Sequence, residues 1–201
     1  MKGVVIAGAG GHARELASHL RSSGTEILGF LDDVVAPGAY HFGRVIGSVS
    51  KAASFADNFV VGIGDPDARR KVETALLEMA MNPISVRHPT FEEGDRCTFG
   101  EGVVLGPNST LTCDVHLGRQ THLHSSVVCA HDVNLGNFVT VTPGVSLAGG
   151  VTVGDLAWLG IGSTVREGVH IGRAAKVAAG AVVVKDVRAG AVVAGVPARE
   201  M

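Results

Sequence analysis

Aromatic side chains are scarce in this protein. Phe, Tyr and Trp make up only 4% of its 201 residues, although 46% of the chain is hydrophobic. A core without many large rings must be built from Val, Leu, Ile and Ala. This composition favours thin, regularly stacked strands over a few bulky packing centres.

Long apolar runs and a strong net charge are also missing. No apolar stretch approaches the ~18–20 residues of a membrane-spanning helix, and the apolar start at 3–9 is too short for a secretory signal. The formal net charge of -2 offers no electrostatic attraction to nucleic acid or to an anionic membrane. We therefore expect neither nucleic-acid binding nor membrane insertion.

Cysteine chemistry is equally limited. Three cysteines without a CxxC spacing support neither a disulfide framework nor a common zinc motif, so the cytoplasm is the simplest location. The sequence contains no Gly-x-Ser-x-Gly nucleophile elbow. Covalent catalysis therefore has no clear candidate residue.

What the chain does have is a six-residue repeat. Fifteen units run from 99 to 188 without a slip in register. The first position of every unit is apolar: Phe99, Leu105, Leu111, Leu117, Leu123, Cys129, Leu135, Val141, Leu147, Val153, Leu159, Val165, Ile171, Val177 and Val183. The fifth position is always small or β-branched: Val103, Ser109, Val115, Thr121, Val127, Val133, Val139, Val145, Val151, Ala157, Ser163, Val169, Ala175, Ala181 and Val187. This period predicts a parallel β-helix with both positions pointing inward.

Three units form one triangular coil, so residues 18 apart should stack on one another. Cys97 and Cys129 fall in the inward phase and are expected in the core. Many of the 28 glycines occupy the second position of a unit, where we expect them to supply the positive φ of a corner.

The N-terminal part follows a different pattern. Apolar runs predict strands at 3–7, 26–31, 59–63 and 84–86, and helical spacing predicts helices at 14–22 and 67–81. Strand–helix alternation implies a small open parallel sheet. We therefore expect a Rossmann-like βαβ domain at 1–87 followed by a β-helix at 88–201.

A glycine cluster lies between the first strand and the first helix. Gly8, Gly10 and Ala13 fit GxGxxG/A, and Asp32 and Asp33 follow at the distance of a ribose-binding acid. The pattern permits a nicotinamide dinucleotide, another phosphate-bearing ligand at the helix N-terminus, or simply a tight turn that packs helix on strand.

His131 stands out among the histidines of the repeat. Asp132 follows it, and a neighbouring carboxylate can fix the tautomer of an imidazole and raise its basicity. Eighteen residues further on are Gly149 and Gly150, which would leave open space and exposed N–H groups beside the ring. This arrangement predicts a general base beside a binding site for an acyl carrier.

Metal binding is the rival use of the histidines. His116, His122 and His124 could meet across a subunit boundary and hold zinc, but their spacing fits no strong zinc pattern. We expect no bound metal.

Several motifs together resemble one family. The hexads beginning at Leu159 and Ile171, with Gly-Val-Pro-Ala at 195–198, resemble the hexapeptide-repeat acyltransferases. The segment GAGGHA at 8–13, the Asp32-Asp33 pair, VGIGD at 61–65 and His131-Asp132 narrow the resemblance to PglD/NeuD-type sugar acetyltransferases. It implies a left-handed β-helix, acetyl-CoA as co-substrate, a nucleotide-linked amino sugar as acceptor, and a homotrimer with active sites between subunits.

The resemblance also implies residue roles. His131 would be the general base, Asp132 its orienting partner, and Gly149 the N–H donor to the oxyanion. The nucleotide sugar would contact Gly10, Gly11, His12, Asp32, Asp33, Gly64 and Asp65. Acetyl-CoA would lie along Gly149, Gly160, Ile161, Gly162, Ser163, Ala178, Ala179, Gly180 and Ala181. Where some relatives carry a second, donor-contacting histidine, this chain has Thr140, which leaves that contact open.

The expected reaction is therefore N-acetylation of the 4-amino group of a nucleotide-linked 4-amino-4,6-dideoxy sugar, by direct attack on the thioester. Three alternatives stay open: O-acetylation of a sialic acid-type sugar, a non-catalytic nucleotide-sugar-binding protein, and a zinc hydratase. The sugar, its nucleotide and the pathway are not determined by the sequence.

Overall fold

The computed structural model of the chain describes residues 3–40 and 42–201, with side chains for all of these except Ala39 and Tyr40. It divides into two compact units, Met1–Pro89 and Thr90–Met201. The division falls two residues after the expected boundary.

The first unit contains a six-stranded sheet in the order β3-β4-β2-β1-β5-β6. Its strands are β1 (Val4–Ala7), β2 (Ile27–Leu31), β3 (Gly38–Tyr40), β4 (Gly43–Gly47), β5 (Asn58–Val61) and β6 (Asn82–Pro83). Its helices are α1 (Gly11–Ser22), a 3₁₀ helix (Val49–Ser54) and α2 (Pro66–Glu78), and a short strand follows at Val86–Arg87. All the pairings are parallel except that of β3 with β4.

Small residues let α1 approach the sheet closely. A Cβ added to Gly62 would lie 2.6 Å from the Cβ of Ala13, which is closer than real contacts allow. The third small residue of the glycine motif is therefore explained by helix–strand packing. The helix then buries Leu16, Ala17 and Leu20 on the same face.

The sequence pattern missed the β3–β4 hairpin and the 3₁₀ helix of this unit. The expected strand at 84–86 was also misplaced, since the chain instead forms the short strands at Asn82–Pro83 and Val86–Arg87. None of the described helices has the length and hydropathy needed to cross a bilayer.

The second unit is a parallel β-helix with three faces of short strands. Face I comprises Val104–Leu105, His122–Leu123, Thr140–Val141, Trp158–Leu159, Lys176–Val177, Val192–Ala194 and the antiparallel Arg199–Glu200. Face II comprises Glu92–Glu93, Thr110–Leu111, Val128–Cys129, Ser146–Leu147, Thr164–Val165 and Val182–Val183. Face III comprises Thr98–Phe99, His116–Leu117, Asn134–Leu135, Thr152–Val153 and His170–Ile171.

The strand pairing confirms the 18-residue stacking. Leu105 pairs with Leu123, which in turn pairs with Val141 on the next coil. First- and fifth-position side chains form one continuous core. Within it, Cys129 is fully buried, and burial raises the pKa of its thiol to about 12, while Cys97 packs partly buried against the core.

The glycines at second positions do not supply the positive φ values that were expected of them. Positive φ values occur instead at the fourth position of the units, for example at Gln120 (51°) and Asp132 (61°). Between faces III and I, all five second positions are glycine: Gly100, Gly118, Gly136, Gly154 and Gly172. A Cβ on Gly118 would lie 2.5 Å from the backbone carbon of Gly136. These glycines are needed because successive coils approach too closely for any side chain.

We expect Gly118→Ala to destabilise the β-helix by roughly 2–3 kcal/mol, because the neighbouring backbone cannot move aside without disturbing the next coil. Urea unfolding followed by circular dichroism measures this. The matched control is Thr112→Ala, at the second position of an exposed corner that already holds a Cβ, and its effect should stay within about 0.5 kcal/mol. Equal stability of the two variants would contradict the steric explanation.

Candidate functional site

The corner between faces II and III, called the II–III corner below, holds the His131–Asp132 pair. His131 Nδ1 lies 2.8 Å from Asp132 Oδ2, and both side chains are 64% exposed. Neighbours in an extended strand point to opposite faces, but Asp132 is left-handed, with φ 61°, and this breaks the alternation. Asp132 thereby turns its carboxylate toward the preceding ring, as the sequence predicted.

The imidazole lies directly over Gly149 on the next coil. A Cβ added there would be 2.5 Å from Cε1 and 2.6 Å from Nε2 of His131, so only glycine permits this ring position. The Gly150 N–H donates to the His131 carbonyl at 2.9 Å, which fixes the two coils together. The Gly149 N–H finds no acceptor among the residues that the structure describes. A ring nitrogen and a free backbone donor therefore lie side by side.

Sequence reasoning missed a second charged pair at the same corner. Arg96 donates through Nε to Asp114 Oδ1 at 2.6 Å and through Nη2 to Oδ2 at 2.5 Å. The pKa of the Asp114 carboxyl is lowered, first by the hydrogen bond from Arg96 and to a smaller extent by the Cys113 thiol and by His131. The spacing of 18 between Arg96, Asp114 and Asp132 was the available signal.

An apolar groove of about 500 Å³ lies near the corner between faces I and II, called the I–II corner below. It brings together four of the residues expected along the acyl donor, Gly160, Ile161, Ala178 and Ala179. The other lining residues are Thr142, Pro143, Trp158, Lys176, Val177 and Val192. Ile161 is 56% exposed there, which leaves an apolar wall open to a ligand.

Two of the residues expected along the acyl donor have side chains that point into the core, so their contact with the donor stays a prediction that only backbone atoms could meet. Ser163 and Ala181 occupy inward fifth positions and are 0% exposed, so their side chains cannot reach a ligand on the surface. Gly162 and Gly180 turn the I–II corner with φ values of 65° and 66° and have open space around them. Their expected contact with the donor stays a prediction.

The glycine turn of the first unit leaves the start of α1 open. Gly10 is the N-cap without a side-chain hydrogen bond, and a Cβ added to it would meet nothing within 4 Å. The first turn of the helix contains Gly11 and His12 and no acidic residue. Free N–H groups and the positive helix end suit an anionic ligand such as a phosphate.

Asp32 and Asp33 hold the loops of this unit in place. Asp32 Oδ2 accepts from the Ala9 N–H at 2.8 Å, and its Oδ1 accepts from Val34 and Val35, each at 2.8 Å. Asp33 Oδ1 accepts from the Val49 N–H at 2.9 Å. Both aspartates therefore order the strand ends, and a direct contact with the nucleotide sugar stays a prediction.

Asp32→Asn is expected to lower the free energy of unfolding at neutral pH by roughly 1–2 kcal/mol, because an amide cannot accept all three bonds. Burial would raise the pKa of Asp32, but the N–H groups of Val35, Val34 and Ala9 outweigh it and lower the pKa. This stabilisation is therefore complete above about pH 4 and is lost as the pH falls through the lowered pKa.

Urea unfolding of the whole chain at neutral and acidic pH tests this expectation. The asparagine variant should lose less stability on acidification than the unchanged protein. Asp67→Asn, which removes an exposed pair with Arg70 and one negative charge from the first turn of α2, is the control and should change stability by less than about 1 kcal/mol. An acid dependence equal to that of the unchanged protein would exclude this role for Asp32.

Gly64 and Asp65 form the loop between β5 and α2. Asp65 caps α2 by accepting from the Ala68 N–H at 2.9 Å. The fully buried Arg69, another residue missed from the sequence, donates through Nη1 to the Ile63 and Gly64 carbonyls, each at 2.9 Å. Burial lowers the pKa of Arg69 to about 9, although Asp65 and Glu73 oppose this. The buried guanidinium of Arg69 therefore stabilises the loop between β5 and α2.

The remaining polar candidates lie apart within one chain. His116 projects from face III, where its Nδ1 lies 2.7 Å from Thr98 Oγ1, whereas His122 is buried on face I. These two histidines therefore do not form a zinc site within one β-helix. Thr140 is also fully buried on face I, and its expected substitution for a donor-contacting histidine stays a prediction.

The sequence of this chain is similar to a known domain family and to a bacterial enzyme. Residues 3–76 match the family described as the PglD N-terminal domain. A GDP-perosamine N-acetyltransferase from Escherichia coli O157:H7 is 33% identical over 135 residues, which cover 63% of this chain and 61% of that enzyme.

Solved structures extend the likeness over the whole chain. PerB from Caulobacter crescentus, in complex with CoA and GDP-perosamine, is 31% identical, with a TM-score of 0.92 over 100% of this chain and 98% of that one. The acetyltransferase domain of PglB from Neisseria gonorrhoeae, in complex with acetyl coenzyme A, is 26% identical, with a TM-score of 0.94 over 100% and 99% of the two chains. The expected fold, a Rossmann-like unit followed by a left-handed β-helix, is thereby confirmed. The chain belongs to the PglD-type family of acetyl-CoA-dependent, hexapeptide-repeat sugar acetyltransferases.

Proposed function

We propose that this chain transfers the acetyl group of acetyl-CoA to the 4-amino group of a nucleotide-linked 4-amino-4,6-dideoxy sugar, with His131 as the general base. The observation that carries the proposal is the His131 ring, held by Asp132 and lying over the bare backbone of Gly149. Relatives crystallised with CoA and GDP-perosamine support the substrate class.

The hydrogen bond to Asp132 determines which ring nitrogen can act. An ionised carboxylate only accepts hydrogen bonds, so Nδ1 of His131 carries the proton that it shares with Asp132. Nε2 then has a free lone pair and lies beside Gly149. This nitrogen is therefore the ring atom available to accept a proton.

The reaction requires two proton transfers, from the amine to His131 and from His131 to the thiolate, and one displacement. The sugar amine gives a proton to Nε2 of His131 as its nitrogen forms a bond to the thioester carbonyl carbon. The carbonyl oxygen becomes an oxyanion, which the free Gly149 N–H is placed to stabilise. When the intermediate collapses, the C–S bond breaks, the amide forms, and the thiolate of CoA takes up the proton.

The first unit supplies features for the nucleotide part of the acceptor. The open N-terminus of α1 at Gly10 and Gly11 suits a diphosphate. A second cavity of about 420 Å³, lined in part by Asp32, Asp33 and Lys51, lies beside the ends of β2 and β4. We assign the nucleotide to this unit, with a GDP-linked sugar as the first acceptor to test.

The donor features lie at two different corners of one β-helix. The apolar groove with Ile161 is at the I–II corner, whereas His131 is at the II–III corner. Apolar walls suit a pantetheine arm, and the 64% exposure of His131 leaves room for an opposing wall. Both points support a homotrimer whose active sites lie between subunits. Light scattering tests the trimer, and a monomer would exclude it.

The decisive experiment supplies acetyl-CoA with each of three acceptors: a GDP-linked 4-amino sugar, a UDP-linked 4-amino sugar and a sialic acid. Free CoA is measured with a thiol reagent and the acetylated product by mass spectrometry. With a nucleotide-linked amino sugar we expect release of free CoA together with the acetylated sugar. With a sugar that lacks the amine we expect neither. Transfer to the sialic acid hydroxyl alone would overturn N-acetylation, and binding without CoA release would overturn catalysis.

A further inference from the structure

Three charged residues stack at the II–III corner, one on each of three successive coils. Arg96, Asp114 and Asp132 are spaced by 18 residues and share left-handed backbone, with φ values of 58°, 56° and 61°. Stacked strands lie about 4.8 Å apart, so each of these side chains starts one coil from the next. The Asp132 N–H donates to the Cys113 carbonyl at 3.1 Å, which holds two of these coils together.

The stack places two carboxylates near one imidazole. Asp132 bonds directly to His131, and the charge of His131 acts on Asp114 one coil below. Arg96 clamps Asp114 with two hydrogen bonds, and both Asp114 and Asp132 raise the pKa of its guanidinium. The guanidinium therefore neutralises Asp114 by direct contact and acts on Asp132 only weakly and through space.

Titratable groups from several coils lie along the corner that holds the imidazole. Asp132 lies on the same coil as His131. Cys113 and Asp114 lie on the preceding coil, and Arg96 lies on the coil before that. The coil above contributes Gly149 and Gly150, which carry no charge. Asp95 and Glu167 occupy the same 18-residue stack as His131, and the Arg96–Asp114 pair adds a contribution that substitutions can change separately.

We propose that Arg96 and Asp114 are positioning residues that set the pH at which the His131 imidazole gives up its proton. This inference rests on the proposed function, because it matters to catalysis only if His131 is the base. Two carboxylates without a counter-ion would favour the charged imidazolium over the neutral base. With Asp114 paired to Arg96, the ring faces one uncompensated carboxylate.

The test uses opposite charge changes in the full-length protein. Arg96→Gln leaves Asp114 without its counter-ion. The acidic limb of the kcat/KM profile should therefore shift to higher pH by roughly half a pH unit or more. Asp114→Asn frees Arg96 to act on Asp132, so the limb should move down by a similar amount. The double variant removes one charge of each sign and should return close to the unchanged profile. Arg188→Gln, which breaks an exposed pair with Glu200 on the last coil, is the control and should not move the limb.

Proton NMR of the His131 ring, assigned by comparison with His131→Ala, provides a readout that does not depend on activity. Opposite shifts of the ring titration in the two single variants support the inference. If these shifts occur while the kcat/KM profiles stay fixed, the inference holds and His131 is not the base of the proposed function. Unchanged ring titration, or shifts in the same direction in both variants, would overturn the inference.

Discussion

His131→Ala is expected to lower turnover of the nucleotide-linked amino sugar by about 10²–10⁴-fold, the usual contribution of a general base. The sugar amine becomes an amide only if a base takes a proton from its nitrogen as that nitrogen attacks the thioester. Nε2 of His131 is the ring nitrogen left free by the bond to Asp132. Steady-state release of CoA at saturating acetyl-CoA measures the effect.

Folding is not expected to limit this experiment. The His131 side chain is 64% exposed, and substitutions at such sites usually change stability by no more than about 0.5 kcal/mol. Asp132→Asn is the informative companion, because it keeps the size of the side chain but no longer selects the ring tautomer. Its loss should be smaller than that of the alanine variant. Near-normal turnover of His131→Ala would remove this residue from the mechanism.

Gly149→Ala is expected to lower turnover by about 10²-fold, the usual cost of displacing a reacting group by roughly 1 Å. The new methyl group would begin 2.5 Å from Cε1 and 2.6 Å from Nε2 of His131, so the ring must move away from the free Gly149 N–H. Base and oxyanion donor would then no longer lie side by side. Comparison of kcat/KM with the unchanged protein measures the loss.

Gly168→Ala is the matched control on the same corner, one coil further along. A Cβ there meets nothing within 4 Å, although its φ of 69° still carries backbone strain. We expect a loss of about 1 kcal/mol in stability with turnover retained. If both alanine variants lose activity equally, a general disturbance of the II–III corner rather than the position of the His131 ring explains the result, because Gly149 itself lacks a positive φ.

Much of the β-helix could be predicted from the sequence because its period allows one solution. A six-residue repeat determines which side chains point inward, and the 18-residue spacing alone predicts that Gly149 lies over His131. The same rule assigned Ser163 and Ala181 to the interior. Their expected contact with the acyl donor came from the family resemblance and conflicted with that rule.

The first unit was less predictable for a physical reason. The strands of the β3–β4 hairpin contain Gly38, Gly43 and Gly47, so the alternation of apolar side chains that reveals a strand is interrupted. Arg69 on α2 has the sequence signature of a solvent-facing charge. Its burial results from the carbonyls of Ile63 and Gly64, which no local pattern shows.

The Arg96–Asp114 pair was partly predictable from the sequence. The spacing of 18 residues was visible, but whether Arg96 would meet Asp114 or extend into solvent depends on rotamers that the repeat does not determine. Left-handed backbone at both residues brings the two side chains to the same outer corner.

The unbroken repeat also limits how the length of this protein can change. Removal of 18 residues deletes one whole turn and returns every later residue to its former face. Removal of six residues keeps the inward and outward pattern but rotates all later residues by one face. A single-residue deletion would exchange apolar and polar side chains along everything that follows. Viable relatives should therefore differ in length within the β-helix by complete turns, with other insertions forming loops at the corners.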